Sequence, residues 1–147
     1  MVIKMERSKI TYPPNSFRLC IDERGNDFQG RVYTPLDEDP LKFLEVREVM
    51  LLMDKIFDRT GYPQSFQEKR SFRKNQIKNE AFHGIPETTM TYGDMEQNRG
   101  RLVTLDIMVS SRQNASWQGM VFLPDGTKFG DFNGEHDLLQ LLQNAMR

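Results

Sequence analysis

The string Phe28-Gln29-Gly30-Arg31-Val32-Tyr33-Thr34-Pro35 returns 89 residues later as Trp117-Gln118-Gly119-Met120-Val121-Phe122-Leu123-Pro124. The same offset carries Phe43 onto Phe132, Val49 onto Leu138, Leu52 onto Leu141 and Met53 onto Leu142. One gap, giving an offset of 88, extends the match upstream, where Phe17, Leu19, Ile21, Arg24 and Asn26 meet Leu105, Ile107, Val109, Arg112 and Asn114. A paired sequence of this kind restricts the chain to architectures built from two copies of one supersecondary unit that bury a shared core.

Each copy has the same reading. Phe17, Leu19 and Ile21 alternate with Arg18, Cys20 and Asp22, the period of a half-buried strand. Arg24-Gly25-Asn26-Asp27 signals a turn, and 28–34 returns as a second strand. After the acidic loop 35–40, residues 41–44 form a short third strand. A helix follows over 45–59, with Val49, Leu52, Met53 and Ile56 on one stripe and Gly61 and Pro63 ending it. In the second copy, Val103, Leu105, Ile107 and Val109 alternate with Thr104, Asp106 and Met108, and Arg112-Gln113-Asn114 turns the chain. Residues 117–123 run back, Pro124-Asp125-Gly126 makes a tight hairpin, and 128–132 form the third strand. Asn133 is placed as the N-cap of a terminal helix with Leu138, Leu141, Leu142 and Ala145 inward.

Three strands and one helix are marginal alone. The expected fold is therefore α+β: two β-β-β-α repeats related by a pseudo-twofold axis, antiparallel in one sheet or two, with both helices packed on one side. The chain is expected to be a single domain over 1–147, with repeat one at 15–60, a connector at 61–101 and repeat two at 102–147. Residues 1–14, polar and ending in Pro13-Pro14, read as a loosely held tail. The connector is too long for an ordinary link. It is basic over 66–78, where Lys69, Arg70, Arg73, Lys74 and Lys78 face only Glu68, and acidic over 80–96. A helix is expected within 64–80 and loop from there to 101.

Composition removes several classes. At 147 residues the chain buries about 70% of its unfolded surface and needs no disulfide or metal to fold. Its net charge of -1 gives no global attraction to nucleic acid or an anionic membrane. The single cysteine, Cys20, allows no intramolecular disulfide and no Cys-rich zinc site. The first residues carry no apolar stretch of signal-peptide length, and no run is long enough to cross a membrane. The chain reads as cytoplasmic, and Asn114-Ala115-Ser116, which fits the glycosylation pattern, is then idle.

Two candidate binding sites emerge. Gln29 and Gln118, with the preceding Phe28 and Trp117, could form two equivalent ligand contacts. Against that, glycine inside a strand marks a bulge or a close backbone approach, so packing carries more weight. The second site is Lys69, Arg70, Arg73 and Lys74, flanked by Phe66 and interleaved with Phe72. Cations neutralise phosphates and rings stack on bases; a solvated face balanced by the acids downstream is the plainer account. Asp37-Glu38-Asp39 lacks the spacing of a calcium loop. His83 and His136 fit no metal motif, and nothing beside Cys20 lowers its pKa. No G-x-x-x-x-G-K-[ST], G-x-G-x-x-G or G-x-S-x-G string occurs, so no cofactor and no catalytic residue is implied.

The string Asn114-Ala115-Ser116-Trp117-Gln118-Gly119, with Leu138-Leu139-x-Leu141-Leu142 behind it, resembles a set of small uncharacterised proteins of Firmicute bacteria. Phe17-Arg18-Leu19-Cys20-Ile21 with its Gln29-Gly30 return resembles them too. The resemblance covers the two repeats, implies a bacterial cytoplasmic setting, and carries no activity with it. The expectation is a non-enzymatic protein-interaction module that binds a partner or itself. Nine methionines, Met50, Met53, Met90, Met95 and Met108 among them, suit adaptable surfaces. The alternatives are a nucleic-acid-associated or regulatory protein using the basic segment 66–78, and a small-molecule binder between the repeats.

Overall fold

The computed structural model describes residues 7–63, 65–66, 85–113 and 116–146. Seven strands and three helices are named here: β1 Ser16–Arg24, β2 Phe28–Tyr33, β3 Leu41–Phe43, α1 Val46–Thr60, β4 Ser65–Phe66, α2 Tyr92–Met95, β5 Val103–Gln113, β6 Ser116–Phe122, β7 Lys128–Asn133 and α3 Glu135–Ala145. The fold is α+β. One sheet takes all the strands, in the order β3-β2-β1-β5-β6-β7, with every neighbour on that path antiparallel. β4 adds a short parallel pairing to the far end of β5.

The ladders of the two halves correspond position by position. Ile21 pairs with Gly30 before the register slips, and Val109 pairs with Gly119 before the same slip. Gly30 lies opposite Phe43 as Gly119 lies opposite Phe132. Both bulges and both aromatic partners thus fall at the offsets seen in the sequence. The two glycines have a steric reason: a Cβ on either would lie 1.9 Å from a backbone oxygen, that of Cys20 for Gly30 and of Met108 for Gly119. The bulge brings strand backbones too close for any side chain, and at Gly119 the Phe132 ring also stands 2.8 Å from where that Cβ would be.

Both long helices face one side of the sheet. α1 starts at Glu45 with a capping box, Glu48 closing back onto the N-cap. It stops at Gly61, whose φ of 76° few other residues adopt without strain. Val46, Val49, Met50, Met53, Ile56 and Phe57 are its buried stripe. They meet Phe17, Leu19, Ile21, Leu105, Ile107 and Val109 from the central strands and Leu138 and Leu142 from α3 in one core. Asn133 does not cap α3. It still pairs with Gln118 as the last residue of β7, and Gly134 (φ 104°) takes the N-cap position, its N–H bonded to Trp117 O at 2.7 Å.

The opposite side of the central strands is also covered, which corrects two expectations. The tail is held from residue 7 on. Tyr12 is fully buried, its N–H donates to Met90 O at 2.7 Å, and Tyr92 N–H donates to Ile10 O at 2.9 Å around a Thr11–Thr91 bridge. The connector's last stretch is not all loop: Thr91 and Asp94 form a capping box for α2, and Met95 packs fully buried. Polar residues on this face of β1 and β5 would stand unpaired without such a cover. Ser65–Phe66, expected within a helix, is strand; the remainder of the expected 64–80 helix lies outside the described residues. Among those described, no helix is long and apolar enough to cross a membrane.

Candidate functional site

The repeated aromatic-Gln-Gly strings occupy equivalent sites with different surroundings. Trp117 is buried, edge-on to Phe17 at 5.9 Å between ring centres and tilted against Phe57 at the same distance. Its Nε1 donates to Asp54 Oδ1 of α1 at 2.7 Å. Gln118 accepts from Ser111 Oγ at 2.7 Å and from Gln113 N–H at 3.2 Å, bracing the β5–β6 bulge from its edge. Phe28 closes the core at the other end, under the Arg24 guanidinium (5.6 Å), and borders a surface hollow of about 440 Å³ with Arg24–Asp27 and Gln143. Gln29 is half-buried on the same strand. Lys69, Arg70, Arg73 and Lys74 lie outside the described residues, as does His83. His136 is exposed on the first turn of α3.

Arg112, aligned in sequence with exposed Arg24, is buried. It donates to Pro63 O at 2.7 Å and to Asp58 Oδ1 at 2.8 Å, and reaches Asp54 Oδ1 at 3.3 Å. Its guanidinium also stands 5.5 Å over the Phe57 ring. This side chain fastens the end of α1 and the start of the connector to β5.

On the face opposite α1 and α3, Arg18 and Asp106 form a two-pronged ion pair, Nε to Oδ1 and Nη2 to Oδ2, both at 2.9 Å, with side-chain exposures of 0% and 5%. Arg18 Nη1 also donates to Met95 O (2.7 Å) and Asn98 O (3.3 Å), and Tyr12 OH donates to Asp106 Oδ1 at 2.6 Å. Every arm of the group is satisfied, which is what a buried charge pair requires. Burial pushes the Tyr12 phenol well above its usual value, and the Asp106 carboxylate adds to that. The sequence placed residues 18 and 106 on one face and aligned them with each other; their opposite charges were the signal that could have located this group.

Above it a hollow of about 130 Å³, bordered by Tyr12, Asp106, Met108 and Phe122, adjoins a cleft of about 570 Å³ between the N-terminal segment, α2 and the β6–β7 turn. The cleft is large enough for a small ligand. Arg7 spans its wall, 4.1 Å over the Tyr92 ring and bonded to Pro124 O at 3.2 Å. Glu96 and Asp125 line it beside Arg7 and Arg99, and Arg99 is already paired with Glu96 at 2.7 Å. Two cations and two carboxylates give it no preference for an anion.

Nearby, Asp22 receives both prongs of Arg31 at 2.9 Å and the Arg101 N–H at 2.9 Å. The Arg31 hydrogen bonds hold its carboxyl below the usual range against the opposing effect of burial. Cys20 is buried, and burial raises its thiol to about 11, so it is not a thiolate at neutral pH. Among the described residues no three His, Cys, Asp or Glu side chains group to hold a metal ion.

The outer faces of the helices differ. Leu44, one residue before the N-cap of α1, is 66% exposed and Leu51 is 59% exposed. Leu51 lies on the outer side of α1, and Leu44 precedes its extended N-cap, Glu45. The positions 89 residues on are Asn133 and Gln140, both exposed, beside a polar row of Glu135, His136, Asp137, Gln143 and Asn144 on α3. Of the five methionines singled out, Met50, Met53 and Met95 are buried, and Met90 and Met108 are half-covered. Comparison with protein-family models, curated proteins and solved structures finds no match to this chain.

Proposed function

We propose that the chain is a non-enzymatic protein-interaction module of the bacterial cytoplasm, and that the outer side of α1 receives its partner. The observation carrying this reading is the exposed pair Leu44 and Leu51 where the equivalent positions hold Asn133 and Gln140. A scattered exposed leucine needs no explanation. Two large exposed leucines within eight residues at the start of α1, with polar residues at the matching positions of the other half, are not required by the fold. Glu45, Arg47 and Lys55 surround them on exposed positions, so the patch has the apolar centre and charged rim of a partner-binding surface.

Among the described residues the buried polar side chains are already bonded within the protein, which favours binding over catalysis. Arg18, Asp106 and Tyr12 bind one another, and Arg112 holds Asp58 and Pro63. The test is capture from native extract, after nuclease, with wild-type protein and with the L44S/L51S variant. Surface changes of this kind alter stability by about 0.5 kcal/mol or less. A stoichiometric partner retained by wild type and lost by the variant is the expected result. Equal recovery by both would remove this surface from the account.

A further inference from the structure

The sheet joins its two halves along β1 and β5, and that ladder has a residue-level asymmetry. It pairs Phe17 with Ile107, Arg18 with Asp106 and Leu19 with Leu105. In the sequence alignment Phe17 is equivalent to Leu105, Leu19 to Ile107 and Arg18 to Asp106. A local twofold relating the halves therefore passes between Arg18 and Asp106, which are at once equivalent residues and direct partners.

At a twofold position a residue pairs with its own counterpart. If β1 joined β1 of a second copy in this register, Phe17 would face Leu19 and the apolar side would match. The side opposite α1 and α3 would set Arg18 against Arg18. Two β5 strands would likewise match Leu105 with Ile107 and set Asp106 against Asp106. The remaining central positions are chemically interchangeable between halves: Ile21 with Val109 and Cys20 with Met108 are alike in character. Within this ladder only the axial position reverses charge between the halves, although Asn15 stands where the other half has Val103.

From this we infer that the Arg18–Asp106 pair is a pairing selector, restricting the central ladder to unlike halves and excluding like-half association between copies. Its setting makes the selection strong. Both side chains are buried, so a mismatched pair would place two like charges outside water with half their hydrogen-bond partners gone. The 61–101 connector is 41 residues long in the sequence, a length that does not itself forbid exchange between chains. A buried polar pair is a known means of fixing partner and register.

The first test is R18L/D106L, examined by native mass spectrometry and sedimentation beside the wild type. Removing the axial charges is expected to add species with one more chain than the wild type shows. A variant that folds and keeps the wild-type mass distribution overturns the inference. Because the neutral variant could fail to fold, the second test is complementary. R18D and D106R are expressed separately, then together. Each alone has like charges in every pairing and is expected to be insoluble. Together they are expected to yield a soluble 1:1 heterodimer, in which the substituted β1 of the R18D chain pairs with the substituted β5 of the D106R chain. Soluble wild-type-like single variants, or a mixture no more soluble than its parts, would overturn the selector.

Discussion

Tyr12 is the residue on which sequence and structure differ most in meaning. In the sequence it sits between Thr11 and Pro13-Pro14 and reads as tail; in the molecule it is fully buried and bonded to Asp106 at 2.6 Å. No periodic pattern could have indicated this, because the segment is neither strand nor helix and its partners lie about 80 to 95 residues away in the chain. Its phenol is raised above the ordinary value, by burial first and then by Asp106. A group raised on folding contributes stability in full below its unfolded pKa, about 10, and that contribution is lost as pH climbs through the folded value. The wild type is therefore expected to lose stability on the alkaline side of pH 10, and Y12F to lose less there. At neutral pH Y12F removes one hydrogen bond to a charged acceptor and costs roughly 1.5–3 kcal/mol. Chemical denaturation at pH 7 and above pH 10 checks both, and an alkaline slope unchanged in Y12F would contradict the assignment. By contrast Gly30 and Gly119 were readable from the sequence as bulge or close-approach positions, because a glycine within a strand has few other causes.

At the scale of elements, the strands and the two long helices were legible because alternation and the 3.6-residue stripe are direct consequences of burying one face. The end of α1 was legible from Gly61, while the start of α3 was misread at Asn133. An N-cap residue and the last residue of a strand compete there, and pairing with Gln118 decides for the strand. What escaped sequence reasoning was how α1 is tied to β5. Arg112 aligns with Arg24, so the repeat suggested equivalent roles, yet only Arg112 is buried, because the connector returns over it at Pro63. The Asp58 carboxylate is 66% exposed, so its share of the tie is weakened by solvent screening. R112Q is expected to destabilise the protein by roughly 1–3 kcal/mol through loss of buried bonding, and D58N by less than about 1 kcal/mol. Urea titration compares them. A D58N loss as large as that of R112Q would show that the exposed ion pair, and not the Pro63 carbonyl, anchors the element.

For the whole molecule, the α+β class and an antiparallel six-strand path, β3-β2-β1-β5-β6-β7 over one core, are what the structure shows of the expected architecture. The second covering layer, residues 7–15 and 85–101 over the face opposite α1 and α3, was not legible, because its contacts are backbone hydrogen bonds and buried polar groups with no period. The candidate site lay hidden for a different reason. Leu44 precedes the helix and Leu51 falls outside the stripe of Val49, Leu52, Met53 and Ile56, but a leucine off the stripe is not by itself a site, and only their exposure marks them. The symmetry of the halves supplies the control for the most direct measurement of the central claim. A photo-crosslinking amino acid is placed at Leu51 in one sample and at the equivalent Gln140 in another, and both are irradiated in native extract. The account predicts a discrete crosslinked protein from position 51 and none from position 140. Equal crosslinking from both, or from 140 alone, would contradict a partner surface on α1.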